Sequence, residues 1–328
     1  AHIAVGKYDD QGKADYAGAL KAFAVALKPN DAGALTAQGY VQRRVGNVAA
    51  ALLSLEQAFA LDPRDSSLAV ILAQTYLMAG RYPDAEAALQ RALAIDPHNL
   101  QAKLYYAQAL IWGSGDVAGA LAAAQGDVPA LKLMRVWLLT LQRKYSDALA
   151  LLDSVPDTPD NFSAQSGSKA LQQADLYRFM HDPAKARPLY RQALAAAQKE
   201  LPRQQGILQA YVWQNIADAE LGLGQTQKGL QAIAQSLVVV DQSGDRVYGN
   251  MLMADASGLY GQAGRADLAV PLLDKALAMY PGSRPVSGLW LWLAPQMDPI
   301  RHDPRFQALQ KQYAKYKPAV TYDAAPAS

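Results

Sequence analysis

Four histidines are the side chains of this sequence best suited to acid–base or metal chemistry, and the chain has no cysteine. His2, His98, His181 and His302 lie far apart, without the two-histidine spacing of a zinc-binding helix. His302 adjoins a carboxylate, Asp303, and the proline after it makes Asp303 a better candidate for a helix cap. The sequence also lacks a serine-nucleophile motif and a phosphate-binding loop. It therefore predicts no catalytic residue, no metal site and no cofactor, and a protein that is not an enzyme.

Charge and hydropathy restrict the class of partner. The 328 residues carry a net charge of +2, which gives no electrostatic reason to expect nucleic acid or an anionic membrane. No apolar run approaches the roughly 20 residues that cross a bilayer, so direct membrane insertion is not expected. Hydrophobic residues make up 51% of the chain, enough for a large core. These features favour a protein or peptide as the partner.

The chain repeats itself with a period of 34 residues. Pro29, Pro63 and Pro97 mark the period, and Gly46 and Gly80 stand 17 positions after the first two prolines. Proline ends one helix, and glycine allows the tight turn inside a helix pair. Short polar residues that can cap the next helix follow each proline by two positions, at Asp31, Asp65 and Asn99.

Apolar spacing in each unit is helical. In 82–95 the apolar residues recur at i, i+3, i+4, i+7 and i+8, so each unit is predicted to be a pair of antiparallel helices. A 34-residue helix pair with this pattern resembles the tetratricopeptide repeat. The resemblance rests on Ala73, Tyr76, Gly80, Tyr82, Ala85, Leu89, Ala92 and Pro97, whereas Leu35 and Ala69 replace the usual early tryptophan. It implies an all-α, right-handed superhelical solenoid of seven to eight pairs.

Four segments are predicted along the chain. Residues 1–153 form an N-terminal array, and the polar, proline-containing stretch 154–169 forms a loop or boundary. Residues 170–316 form a second array with longer repeats and a capping helix at 306–316, and 317–328 form a flexible tail. The equivalent apolar positions of the second array are Ala186, Tyr190, Ala193, Gly229, Ile233, Ser236, Ala269, Leu273 and Ala276.

A binding surface is predicted on the first helix of each pair. The resemblance places these helices on the concave side, and four-residue steps put matched side chains on one helical face. We expect this face to hold a peptide or helix of a partner. The candidate residues are Thr36, Tyr40, Arg43, Arg44, Gln74, Met78, Tyr105, Gln108 and Trp112.

Two stretches suggest a narrower relationship. Residues 39–46 (GYVQRRVG) and 298–310 (DPIRHDPRFQALQ) resemble tetratricopeptide regions attached to bacterial winged-helix regulators, serine/threonine kinases and adenylate cyclases. Tetratricopeptide repeats that bind chaperone tails carry Lys and Asn where this chain has Thr36 and Tyr40, so capture of such a tail is disfavoured.

The expected function is a non-catalytic interaction scaffold or sensory module. Two alternatives stay open: a small-molecule-sensing module of a larger signalling protein, with its ligand between the sub-arrays around 154–169, and a periplasmic scaffold of an envelope or secretion assembly. The sequence starts without Met, so two alternatives stay open, a mature product and an excised piece of a longer chain. Of the two compartments, the periplasm is slightly favoured over the cytoplasm.

Overall fold

The structure, a computed structural model, describes residues 31–44, 46–243, 248–279 and 288–322. In these ranges all regular secondary structure is helical and no strand occurs. The helices of the first half are α1 (Ala32–Arg44), α2 (Val48–Leu61), α3 (Ser66–Met78), α4 (Tyr82–Ile95), α5 (Leu100–Ser114), α6 (Val117–Ala123), α7 (Pro129–Leu141) and α8 (Tyr145–Asp153). Those of the second half are α9 (Lys169–Phe179), α10 (Pro183–Glu200), α11 (Gly206–Gly222), α12 (Thr226–Ser243), α13 (Gly249–Gln262), α14 (Ala266–Ala278), α15 (Trp290–Leu293) and α16 (Pro304–Gln312).

Helices α1 to α14 pack as seven consecutive pairs within the described ranges, each odd-numbered helix against the next even-numbered one. The first helix of a pair also contacts the pair before it, so the pairs stack into a right-handed superhelical solenoid. The all-α fold class predicted from the 34-residue period is confirmed.

Caps and turns fall where the repeat predicts them. The Asp65 carboxylate accepts a hydrogen bond from the Leu68 amide at 3.0 Å, and the Asn99 side chain accepts one from the Ala102 amide at 3.0 Å. Gly46 has a φ of 82°, in the left-handed region that glycine adopts without strain. The first marker of the period, Pro29, lies outside the described residues.

Small residues are the contact points between stacked helices. Ala85 and Ala92 have no exposed surface, and the equivalent Ala269 and Ala276 are 1% and 0% exposed. A side chain of one carbon lets two helix backbones approach closely, which explains why this alanine-rich sequence repeats.

Residues 288–322, here called the C-terminal segment, cap the stack and then return to earlier pairs. Met297 and Phe306 share a buried cluster with Tyr260 of α13, so the segment covers the last pair. Leu289 and Leu293 instead share a cluster with buried residues of α5 and α7. The segment therefore connects the seventh pair with the third and fourth pairs.

The end of the chain differs from the flexible tail predicted for 317–328. Pro318 lies against Gly115, and the Tyr322 hydroxyl accepts a hydrogen bond from Gln142 Nε2 at 3.3 Å. The sequence pattern of the tail cannot reveal this packing, because the surface it uses belongs to pairs about 180 residues earlier. Residues 323–328, and residues 280–287 between α14 and α15, lie outside the described residues.

The predicted loop contains no helix from Ser154 to Ser168, and Lys169 is the first residue of α9. It is packed against its neighbours, because Phe162 is 9% exposed and Asn215 Nδ2 donates to the Ala164 carbonyl at 2.8 Å. The predicted capping helix is present as α16, followed by a short 3₁₀ turn at Ala314–Tyr316.

Candidate partner-binding surface

Neighbouring first helices hold the predicted binding residues close to one another. Tyr40 on α1 and Gln74 on α3 are partly exposed, and Arg43 links them. The Arg43 guanidinium lies 5.1 Å from the centre of the Tyr40 ring and donates a hydrogen bond of 3.1 Å to Gln74 Oε1. The arrangement offers an aromatic ring, an amide and a cation along one line.

Three further predicted residues lie on α5, and one of them adjoins α7. Tyr105, Gln108 and Trp112 are partly exposed and follow one helical face at i, i+3 and i+7. The Trp112 ring lies 5.6 Å from the Trp137 ring of α7, with 52° between the ring planes. Trp137 was not among the predicted binding residues. Its adjacency to Trp112 depends on the shortened unit before α7, which the 34-residue period does not anticipate.

Of the predicted binding residues, one is buried, and the side chain of another lies outside the described residues. Met78 is only 5% exposed and packs in a core cluster with Leu55 and Leu72, so it offers no accessible surface. It turns inward because α3 is apolar nearly all round, and a four-residue step alone does not identify its exposed face. Arg44 ends α1, and its side chain lies outside the described residues.

Thr36 is partly exposed, and its hydroxyl donates to the Ala32 carbonyl at 2.7 Å within α1. The hydroxyl is thus already occupied, although its methyl group remains available for contact. We call Tyr40, Arg43, Gln74, Tyr105, Gln108 and Trp112 the inner strip.

Carboxylates occupy the corresponding positions of the second array. Gln74 and Gln108 each follow a buried alanine, and the residues that follow Ala174, Ala217 and Ala254 in the same way are Asp175, Asp218 and Asp255.

Asp175 and Asp218 lie in a hydrogen-bonded group that includes one arginine. Tyr190 donates its hydroxyl proton to Asp175 at 2.7 Å, and Arg178 donates to the Tyr190 oxygen at 2.9 Å and to Asp175 at 3.2 Å. Gln262 of α13 donates to Asp218 at 3.0 Å. This group ties α9, α10, α11 and α13 together.

Burial raises the pKa of two of these acids. It raises the pKa of Asp218 well above its usual range, and the negative charge of Asp175 adds to the effect. Burial alone raises the pKa of Asp255 to about 7. Burial also disfavours the charged form of Arg178. The interactions with Tyr190, Asp175 and Asp218 outweigh this effect of burial and raise the Arg178 pKa. Burial therefore disfavours the charged forms of Asp218 and Asp255, whereas Arg178 stays charged beside its hydrogen-bond partners.

The three histidines within the described ranges do not assemble a site. His302 is exposed, and Asp303 caps α16 by accepting from the Arg305 amide at 2.9 Å, as predicted. The Arg305 side chain, hydrogen-bonded to the same carboxylate, lowers the Asp303 pKa to about 2. Among the described residues no group of three or more acidic or histidine side chains is placed to hold a metal ion. None of the helices described is both long and apolar enough to cross a membrane.

Comparison with known proteins agrees with this architecture. Residues 36–99 and 77–125 match two family models, both described as tetratricopeptide repeat. The chain therefore contains tetratricopeptide repeats, and the matched ones lie in its N-terminal array. No curated protein matches the sequence.

One solved structure resembles this fold well beyond the matched residues. A tetratricopeptide repeat protein from Parabacteroides merdae is 15% identical, with a TM-score of 0.50 over 86% of this chain and 98% of that one. The Cut9–Hcn1 hetero-tetramer of APC/C is 15% identical over 91% of this chain and 52% of that one, with a TM-score of 0.47. At these identities the likeness concerns the fold alone.

Proposed function

We propose that the inner strip holds a short extended or helical segment of a protein partner. Tetratricopeptide repeats make this chain a protein–protein interaction scaffold, and the strip is the finer assignment. The observation that carries it is the Tyr40–Arg43–Gln74 arrangement, because it joins two repeats into one partly exposed surface. We propose no catalytic role for this surface, since no nucleophile and base adjoin there.

The chemistry of the strip favours a segment with apolar and hydrogen-bonding groups in alternation. Tyr105 and Trp112 provide rigid area at low entropic cost, whereas Gln74 and Gln108 each provide an amide donor and acceptor. Arg43 adds a fork of donors suited to a carbonyl or a carboxylate. A peptide backbone alternates its own donors and acceptors in the same manner.

Adjacent tyrosines give a matched test. Tyr105 belongs to the strip, whereas the Tyr106 hydroxyl accepts a hydrogen bond from Gln90 Nε2 of α4 at 2.9 Å and so faces the neighbouring helix. The partner would first be captured from the source cell and its bound segment located by cross-linking and mass spectrometry. Its labelled peptide would then be titrated by fluorescence anisotropy against Tyr105→Ala and Tyr106→Ala.

We expect Tyr105→Ala to weaken binding at least tenfold and Tyr106→Ala to weaken it less than threefold, with circular dichroism confirming the fold of both. A second pair, Gln108→Arg on the strip and Gln57→Arg on the exposed side of α2, introduces the same charge at two places. Two outcomes would place the partner elsewhere on the protein. One is an equal loss of peptide affinity in the two variants of either pair, and the other is no loss of affinity in the strip variants.

A further inference from the structure

A cleft in the second array is lined by two arginines. It lies between α10 and the turn after α11, and it encloses about 350 Å³. Arg187 and Arg191 stand one helical turn apart on α10 at its edge. None of the seven lining residues is acidic.

Both arginines are free of partners among the described residues, whereas most arginines of this chain are engaged. Of those with described side chains, Arg64, Arg187 and Arg191 alone lack a hydrogen bond, an ion pair and a ring contact. Two of these three line the same cleft. Like charges one turn apart repel each other, so the free protein gains nothing from this pair.

The remaining lining suits a carboxylate that arrives on an aliphatic stem. Leu194 and Leu223 supply a partly buried apolar floor. Gln198 and Gln225 supply amide donors at the rim. A guanidinium binds a carboxylate through two parallel hydrogen bonds, and a glutamate side chain places two methylene groups behind its carboxylate.

We propose that this cleft docks an acidic protein segment with two carboxylates one helical turn apart, matched to Arg187 and Arg191. A nucleic acid is disfavoured, because it needs an extended basic surface and the whole chain carries a net charge of only +2. The cleft lies on α10, outside the inner strip of α1, α3 and α5. The test of this docking site and the test of the function proposed above therefore have independent outcomes.

The probe is a labelled helical peptide with glutamates at positions i and i+4, and its counterpart with glutamines at both positions. Fluorescence anisotropy at low ionic strength would measure binding to the full chain and to the double variant Arg187→Gln/Arg191→Gln. The control, Lys199→Gln/Arg203→Gln, removes the same charge from exposed positions nearby. Both sites are exposed, and melting curves would check that the variants stay folded.

We expect saturable binding of the glutamate peptide, at least tenfold weaker binding of the glutamine peptide, and at least tenfold loss in the Arg187/Arg191 variant. The control variant should lose less than threefold. An equal loss in the control, or no saturable binding by the intact chain, overturns the site. Inorganic phosphate or a short oligonucleotide that binds more tightly than the glutamate peptide, with the same dependence on the two arginines, overturns the carboxylate assignment.

Discussion

Arg143 is the residue through which the closure of the solenoid is best tested. It occupies the turn between α7 and α8 with a φ of 61°, a region that glycine occupies at the equivalent turns Gly46 and Gly80. A residue with a Cβ loses about 1–2 kcal/mol in this conformation. The side chain is 6% exposed and donates to the Leu293 carbonyl at 2.8 Å and to Asp298 at 2.9 Å. We infer that these contacts to the C-terminal segment offset the backbone strain.

The expected losses of stability differ between Arg143→Ala and Arg143→Gly. Loss of the ionic hydrogen bond to Asp298 costs about 1.5–3 kcal/mol, at the lower end here because Asp298 keeps its ion pair with Arg301. Arg143→Ala keeps the strain and loses the contacts, so it should cost about 2–3 kcal/mol. Arg143→Gly loses the same contacts but relieves the backbone strain. After the entropic cost of glycine in the unfolded chain is subtracted, this relief amounts to about 0.5–1 kcal/mol. The substitution should therefore cost about 1–2 kcal/mol.

His181 provides the control. It has a φ of 56° at the equivalent turn after α9 but is exposed and solvated. His181→Gly should therefore stabilise the protein by about 0.5–1 kcal/mol, because strain is relieved and no buried contact is lost. The two glycine substitutions thus have opposite expected signs.

Hydrogen exchange is the suitable assay, because a solenoid opens locally and a global melt would average the effect. Arg143→Gly should raise the exchange of amides in 288–300 about 5–30-fold, the ratio that corresponds to 1–2 kcal/mol. Protection of α2 and α3 should stay unchanged. If Arg143→Gly leaves 288–300 as protected as His181→Gly does, the side chain does not anchor the segment and the reasoning is wrong.

Three further predictions concern packing and ionisation. Ala85→Leu should destabilise by about 1–3 kcal/mol because Ala85 has no exposed surface, and an unchanged thermal midpoint would contradict that contact. Gly222→Ala should do at least as much, since a Cβ there would lie 2.2 Å from the Tyr190 ring; urea unfolding would measure it. Burial raises the Asp255 pKa to about 7, so ionisation destabilises the folded state as the pH rises from about 4 through 7. Asp255→Asn should therefore raise the melting temperature at pH 8 and have little effect at pH 4, and a gain that does not change with pH would contradict it.

The sequence predicts local structure well here because each repeat folds against its immediate neighbours. Asp65, Gly46 and Ala85 serve as cap, turn and helix contact, and each role depends only on residues within one period. Met78 is a different case, because its burial depends on how the all-apolar α3 rotates between two neighbours. The return of the C-terminal segment to α5 and α7 depends on the accumulated turn of the whole superhelix, which no local pattern contains.

The return of the C-terminal segment to α5 and α7 also limits the length of the partner segment, if the inner strip binds one. The strip begins on α1 and ends near Trp112 and Trp137, where Leu289, Leu293 and Tyr322 pack into the same region. From α1 to α7, which carries Trp137 beside the end of the strip, the four first helices at about 9–10 Å spacing span roughly 30 Å. An extended peptide covers that distance with about nine residues.

Peptides shortened from about fifteen residues should therefore keep their dissociation constant until about nine remain, and then lose affinity steeply. Isothermal titration of a nested series taken from the mapped partner segment would measure this. An affinity that keeps rising up to about twenty residues would mean that the peptide passes the C-terminal segment or displaces it. Arg143→Gly would distinguish these two cases, because a loosened segment favours displacement and leaves passage unchanged.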